Sequence, residues 1–106
     1  MLDNWDSKAV ALSSGRPYQQ FTLSQNYYLR VFNNDIREEE LVWHRDYHDR
    51  EVKVLQGSGW LFQFDNEVPF ELTARSVFEI KRGQYHRIIK GDGQLFLTII
   101  EKNPPL

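Results

Sequence analysis

The chain has 106 residues, of which 41% are hydrophobic and 26% are charged. This length and composition predict one folded domain with a single core and exclude a disordered or fibrous chain. Thirteen basic and fifteen acidic residues give a net charge of -2 and there is no cysteine, so nucleic-acid binding is disfavoured and disulfides and thiolate metal sites are excluded.

The chain reads as a succession of short strands separated by turn residues. Residues 1–17 are predicted to be an irregular lead-in, and residues 18–106 a single barrel domain. Glycines in the turns at 57–59 and 91–93 predict tight antiparallel connections. The strands are predicted near 21–24, 27–32, 41–46, 51–56, 60–65, 70–73, 77–81, 85–90 and 95–101. The fold class is therefore all-β, a small antiparallel sandwich or closed barrel.

No stretch of the sequence approaches the eighteen apolar residues of a membrane span, and the first ten residues lack the apolar run of a signal peptide. We therefore expect a cytoplasmic protein without a membrane partner.

Four side chains form a pattern that core packing does not readily explain. His44 and Asp46 point to one face of their predicted strand, because side chains alternate along a strand. A polar stretch at 47–50 would turn the chain and return Glu51 beside them. His86 follows a turn at Gly83 and would approach from a distant strand. Imidazoles and carboxylates are good ligands for transition metals, so these residues predict a mononuclear metal site.

The spacing of these residues resembles the first sequence motif of the cupins. That motif is a glycine, five residues, HxH, three or four residues, a glutamate, six residues and a glycine. His44 matches the first histidine, Asp46 stands for the second, and Glu51 matches the glutamate after four residues. Gly57 then comes one residue early.

The second cupin motif, PxGxxH with a further asparagine, resembles the segment around His86. Gly83 and His86 match it, whereas Lys81 replaces the proline and Lys90 the asparagine. The resemblance covers residues 20–101 and implies a double-stranded β-helix, or jelly roll.

The resemblance implies one divalent transition metal, and two ligand sets are open. Either His44, Asp46, Glu51 and His86 all bind, or His44, Glu51 and His86 form a facial triad with open positions for oxygen and substrate. Carboxylate ligands favour Fe or Mn, with Zn or Ni as alternatives. The competing interpretation is a charged hairpin tip beside an ordinary histidine, in a barrel that holds no metal.

The surroundings of this site suggest further roles. If Glu51 points inward, Lys53 does as well, and Gln63 and Lys90 are predicted to bind the substrate near the metal. Trp60 is a candidate for stacking on a planar ligand, and Tyr85 or Lys53 for an acid or base. The alternative is that the lysines reach solvent and the aromatic side chains pack the core.

The leading functional hypothesis is a cupin-like, metal-dependent enzyme that acts on a small molecule, with an anionic substrate favoured by the nearby lysines. Its chemistry would be that of a dioxygenase, or of an isomerase or lyase. The alternative is a non-catalytic module that senses or binds a metal or small ligand. The resemblance also implies a homodimer.

Overall fold

The computed structural model describes residues 17–102, and within this range eight strands and one short 3-10 helix form. The predicted lead-in therefore lies, apart from its last residue, outside the described residues. The strands are β1 (Gln19–Ser24), β2 (Tyr27–Phe32), β3 (Asp49–Ser58), β4 (Leu61–Phe64), β5 (Phe70–Glu71), β6 (Val77–Ile80), β7 (His86–Ile89) and β8 (Asp92–Lys102), with the 3-10 helix at Glu38–Glu40 between β2 and β3.

The strands form two antiparallel sheets. The larger sheet has the order β1-β2-β8-β3-β6, and the smaller one has the order β5-β4-β7. The longest strand, β8, is the central one and pairs with β2 on one side and with β3 on the other. Both sheets supply side chains to one apolar core. The architecture is the all-β jelly roll that the sequence predicted.

The core follows the alternation of side chains along each strand. On β3, Val52 and Val54 are buried while Lys53 and Leu55 are exposed. Leu97 and Ile99 on β8 are buried on the same side, since Leu97 pairs with Val54 and Ile99 with Val52. One face of the larger sheet therefore covers the interior.

Two expectations about the connections were wrong. Residues 41–46 do not form a strand; they make a single β-bridge, between His44 and His86. The glycine turns at 57–59 and 91–93 do not join paired strands, because β3 and β8 belong to one sheet and β4 and β7 to the other. Gly59, with a φ of 74°, instead lies in the crossing from β3 to β4, and Gly93, with a φ of 65°, lies at the start of β8, just after the crossing from β7.

Among residues 17–102, no helix is long and apolar enough to cross a membrane.

Candidate metal centre

A partly open cavity of about 340 Å³ is lined by side chains of both sheets. Most of its wall is apolar, but one end carries His44, Asp46, Arg50 and His86. His86 and Asp46 are buried, with 3% and 7% of their surface exposed.

Backbone hydrogen bonds fix the two histidines beside each other. The His44 amide donates to the His86 carbonyl at 3.0 Å, and the His86 amide donates to the His44 carbonyl at 2.9 Å. The ring centroids are then 4.3 Å apart. Phe62 on β4 stacks on the His86 ring at 5.3 Å with an interplanar angle of 16°. The bridge and this stacking hold both imidazoles at the same end of the cavity.

Each imidazole is oriented by a carbonyl two residues earlier in the chain. His44 Nδ1 lies 3.0 Å from the Val42 carbonyl oxygen, and His86 Nδ1 lies 2.9 Å from that of Gln84. Because a carbonyl oxygen only accepts hydrogen bonds, Nδ1 of each ring carries a proton. In the neutral rings Nε2 then offers a lone pair, and a backbone partner on the other nitrogen is the usual support of a metal-binding histidine.

The side chain of Asp46 completes the group. Its Oδ2 lies 3.4 Å from His86 Nε2 and has no hydrogen-bond donor among residues 17–102. One ligand atom from each of His44, Asp46 and His86 lies within 4.8 Å of the others. A buried carboxylate oxygen beside a nitrogen lone pair is unfavourable unless a cation or a proton lies between them. The group thus fits a divalent metal bound by two imidazoles and one carboxylate.

The charge state of His86 also suits a metal ligand. Burial, followed by the neighbouring His44, lowers the pKa of His86 to about 4. The ring is therefore neutral at neutral pH, and its Nε2 lone pair is available.

Arg50 on β3 binds Asp46 from the side opposite His86. Its Nη1 lies 3.3 Å from Asp46 Oδ1, and its Nη2 donates to Glu101 Oε2 at 2.6 Å. This contact holds the carboxylate so that Oδ2 faces His86, although the positive charge of the guanidinium also opposes a nearby cation.

The structure brings together His44, Asp46 and His86 but does not bring Glu51 to them. Glu51 follows Arg50 on β3, and alternation places its side chain on the outer face of the sheet. There its Oε1 lies 3.0 Å from Lys102 Nζ. The expected return of Glu51 beside His44 failed because 41–46 is not a strand and does not pair with β3.

The predicted catalytic and substrate-binding residues do not line the cavity. Lys53 is exposed on the outer face of β3, and Tyr85 is 43% exposed. Trp60 is fully buried in the core, where its Nε1 donates to a backbone carbonyl at 3.1 Å. Gln63 donates to the Glu67 carbonyl and accepts from Arg87 Nε, and Lys90 follows the end of β7.

Sequence reasoning missed Arg50, although the sequence carries a signal for it. If three residues rather than four separate Asp46 from the glutamate position of the first cupin motif, that position falls on Arg50. Six residues then lie between Arg50 and Gly57, as the motif requires. The motif therefore matches best with an arginine where the glutamate ligand would stand.

Comparison with known proteins agrees with the fold. No protein-family model and no curated protein sequence matches the chain. A solved structure of a cupin-2 domain protein from Shewanella frigidimarina superposes with a TM-score of 0.59 at 16% identity, over 96% of this chain and 85% of that one. This chain has the cupin fold.

Two other cupin-fold matches are structures of proteins described as enzymes. Fe(II)-HppE in complex with substrate superposes with a TM-score of 0.59 at 13% identity, over 80% of this chain and 52% of that one. A putative mannose-6-phosphate isomerase from Ralstonia eutropha gives a TM-score of 0.59 at 12% identity, over 84% and 88% of the two chains. At these identities the likeness concerns the fold alone.

Proposed function

We propose that this chain binds one divalent transition metal through His44, Asp46 and His86 and acts as an enzyme on a small molecule in the adjoining cavity. The observation that carries the proposal is the unpartnered, buried Oδ2 of Asp46, 3.4 Å from the Nε2 lone pair of His86. Two imidazoles and one carboxylate leave coordination positions open, which favours Fe(II), with Mn(II) as the next candidate. The bound metal would supply Lewis acidity or oxygen activation.

The protein's own residues have distinct parts in this proposal. The backbone carbonyls of Val42 and Gln84 hold the two imidazoles with Nε2 toward the metal position. Arg50 orients the Asp46 carboxylate. The apolar wall of the cavity displaces water from a bound substrate and strengthens electrostatic interactions at the cluster.

Dioxygenase-like chemistry is the form we favour, because two histidines and one carboxylate are the residue types with which non-haem iron oxygenases hold their metal. The likeness to Fe(II)-HppE supports an iron-compatible fold. Isomerase or lyase chemistry is the alternative within the same site, and the likeness to a putative mannose-6-phosphate isomerase supports it.

Elemental analysis after anaerobic purification tests metal binding. We expect about one Fe or Mn per chain in the wild type and its loss in His86→Ala, because three ligands are the minimum for such a site. His48→Ala is the matched control, since His48 is the remaining one of the chain's three histidines and lies outside the cluster. A wild type that is metal-free and resists reconstitution would refute the proposal.

A second candidate function is a ligand-binding module without metal, and Arg50 is the observation that favours it. Its guanidinium lies 3.3 Å from Asp46 Oδ1, and its positive charge weakens the attraction of that carboxylate for a cation. Incubation of the chelator-treated protein with Fe(II), followed by titration with azide or nitric oxide, distinguishes the two candidates. Uptake of iron with a spectral change on titration supports the enzyme, whereas failure to take up iron supports a binding module without metal.

The homodimer expected from the sequence stays a prediction. Light scattering at working concentrations checks it, and a monomer would reject it.

A further inference from the structure

Glu101 on β8 is connected to the metal centre through Arg50. The two residues are partners across β3 and β8, and side chains of such partners lie on the same face of a sheet. Arg50 Nη2 donates to Glu101 Oε2 at 2.6 Å, and the two side chains are 11% and 19% exposed. Glu101 does not belong to the group of three residues whose ligand atoms converge. Its contact with the centre is made by the guanidinium.

The guanidinium of Arg50 is shared between two carboxylates. Nη1 lies 3.3 Å from Asp46 Oδ1, whereas the bond from Nη2 to Glu101 Oε2 is 0.7 Å shorter than that. The shorter contact makes Glu101 the stronger partner. Asp46 contacts the guanidinium through one oxygen, and its other oxygen, Oδ2, has no hydrogen-bond donor among the described residues.

Glu101 decides how Arg50 can bind Asp46. A guanidinium presents its N–H groups as a planar fork, and one carboxylate often takes two of them through both of its oxygens. Here the fork is divided, because Glu101 occupies Nη2. Without that bond, both arms of the fork would be free to pair with Asp46 and to cover Oδ2, which lies 3.4 Å from His86 Nε2. The guanidinium would then compete with a metal for this oxygen.

We propose that Glu101 is a positioning residue of the metal centre: it holds one arm of the Arg50 guanidinium and so keeps Oδ2 of Asp46 available to the metal. This inference rests on the metal binding in the proposed function, and it does not depend on catalysis. It gives a part in metal binding to a side chain outside the ligand cluster.

Titration of the chelator-treated protein with Co(II), followed by the visible absorption of the bound ion, tests this inference. We expect Glu101→Gln to weaken Co(II) binding at least about tenfold, a difference of roughly 1.4 kcal/mol. The same substitution is then made in the Arg50→Met variant. The charge of Glu101 attracts the metal directly in both backgrounds, so the difference between the two losses isolates the part that passes through the guanidinium. The loss should be at least about threefold smaller without Arg50.

Glu51→Gln is the matched control. Glu51 is also a glutamate of the larger sheet with an ion-pair partner, Lys102 at 3.0 Å, and it too lies outside the ligand cluster. Its substitution should leave the Co(II) affinity within about twofold of the wild type, because an exposed ion pair has little influence on a distant charge. Equal losses for Glu101→Gln with and without Arg50, or no loss in either background, would overturn the inference.

The outcomes separate this inference from the proposed function. A wild type that takes up no Co(II) refutes the metal centre, whereas a wild type whose Co(II) affinity is unchanged by Glu101→Gln refutes the inference alone. If Glu101→Gln or Arg50→Met does not fold, the Nη–H signals of Arg50 in the wild type are followed by NMR. Signals that stay resolved when Zn(II) is added support a guanidinium held by Glu101, and their collapse into one averaged signal overturns the inference.

Discussion

The stability of the metal-free protein should depend on pH through His86. Burial and the neighbouring His44 lower the pKa of this imidazole to about 4 in the folded protein, whereas an unfolded histidine titrates near 6.5. Above about pH 6.5 both states hold a neutral ring. Between these two values the unfolded chain binds the proton and the folded chain does not, so the free energy of unfolding falls as the pH falls.

The size of this effect follows from the two pKa values. They differ by about 2.5 units, each worth about 1.4 kcal/mol, so the full loss is roughly 3 kcal/mol. Most of that loss should be complete by about pH 4.5, and it should level off below about pH 4, where both states are protonated.

Urea unfolding in the presence of a chelator, from about pH 7 to about pH 4.5, measures the effect. His86→Phe is the comparison, because it keeps an aromatic ring against Phe62 but cannot bind a proton. Carboxylates titrate in both proteins, so the difference between their curves isolates the histidine. If the wild type and His86→Phe lose stability in parallel over this range, the assignment of a buried neutral imidazole is refuted.

Three further variants test the packing and the charges around the site. Arg50→Met should destabilise the metal-free protein by about 3 kcal/mol in urea unfolding, because it removes the cationic partner of the buried Asp46 carboxylate and of the half-buried Glu101 carboxylate; a stability equal to that of the wild type would contradict the ion pairs. Leu72→Ala should cost about 2–5 kcal/mol in the same assay, since Leu72 is fully buried, and a smaller loss would show that the core collapses around it. Gly91→Ala should lower the melting temperature more than Gly83→Ala. A Cβ at Gly91 would lie 2.3 Å from the backbone nitrogen of Trp60. The space around Gly83 is open, and only its φ of 81° opposes the change. Equal decreases of the melting temperature of the two variants in calorimetry would refute the close contact between the β3–β4 crossing and the β7–β8 crossing.

The position of most strands could be predicted from the sequence, because their signals are local. Alternation and turn residues placed β2 at its observed bounds, and β4, β6 and β7 within one or two residues. His44, Asp46 and His86 were also predicted, since their residue types and spacing carry the ligand chemistry. The segment 41–46 was assigned wrongly because its composition is strand-like, whereas its pairing within residues 17–102 is a single bridge from His44 to His86, a contact between distant parts of the chain.

The tertiary structure alone decided which side of each strand faces the cavity. A shift of one residue reverses every side chain of a strand, and local sequence on β3 allowed either Glu51 or Arg50 to point inward. Pairing with β8, which buries Val52 and Val54 against Leu97 and Ile99, selected Arg50. The sequence by itself thus determined the all-β fold and the three side chains of the candidate metal centre, because those depend on residue type and spacing. Packing of the two sheets determined that arginines rather than lysines line the cavity beside them. The side of a strand that faces the cavity depends on burial against strands far away in the chain.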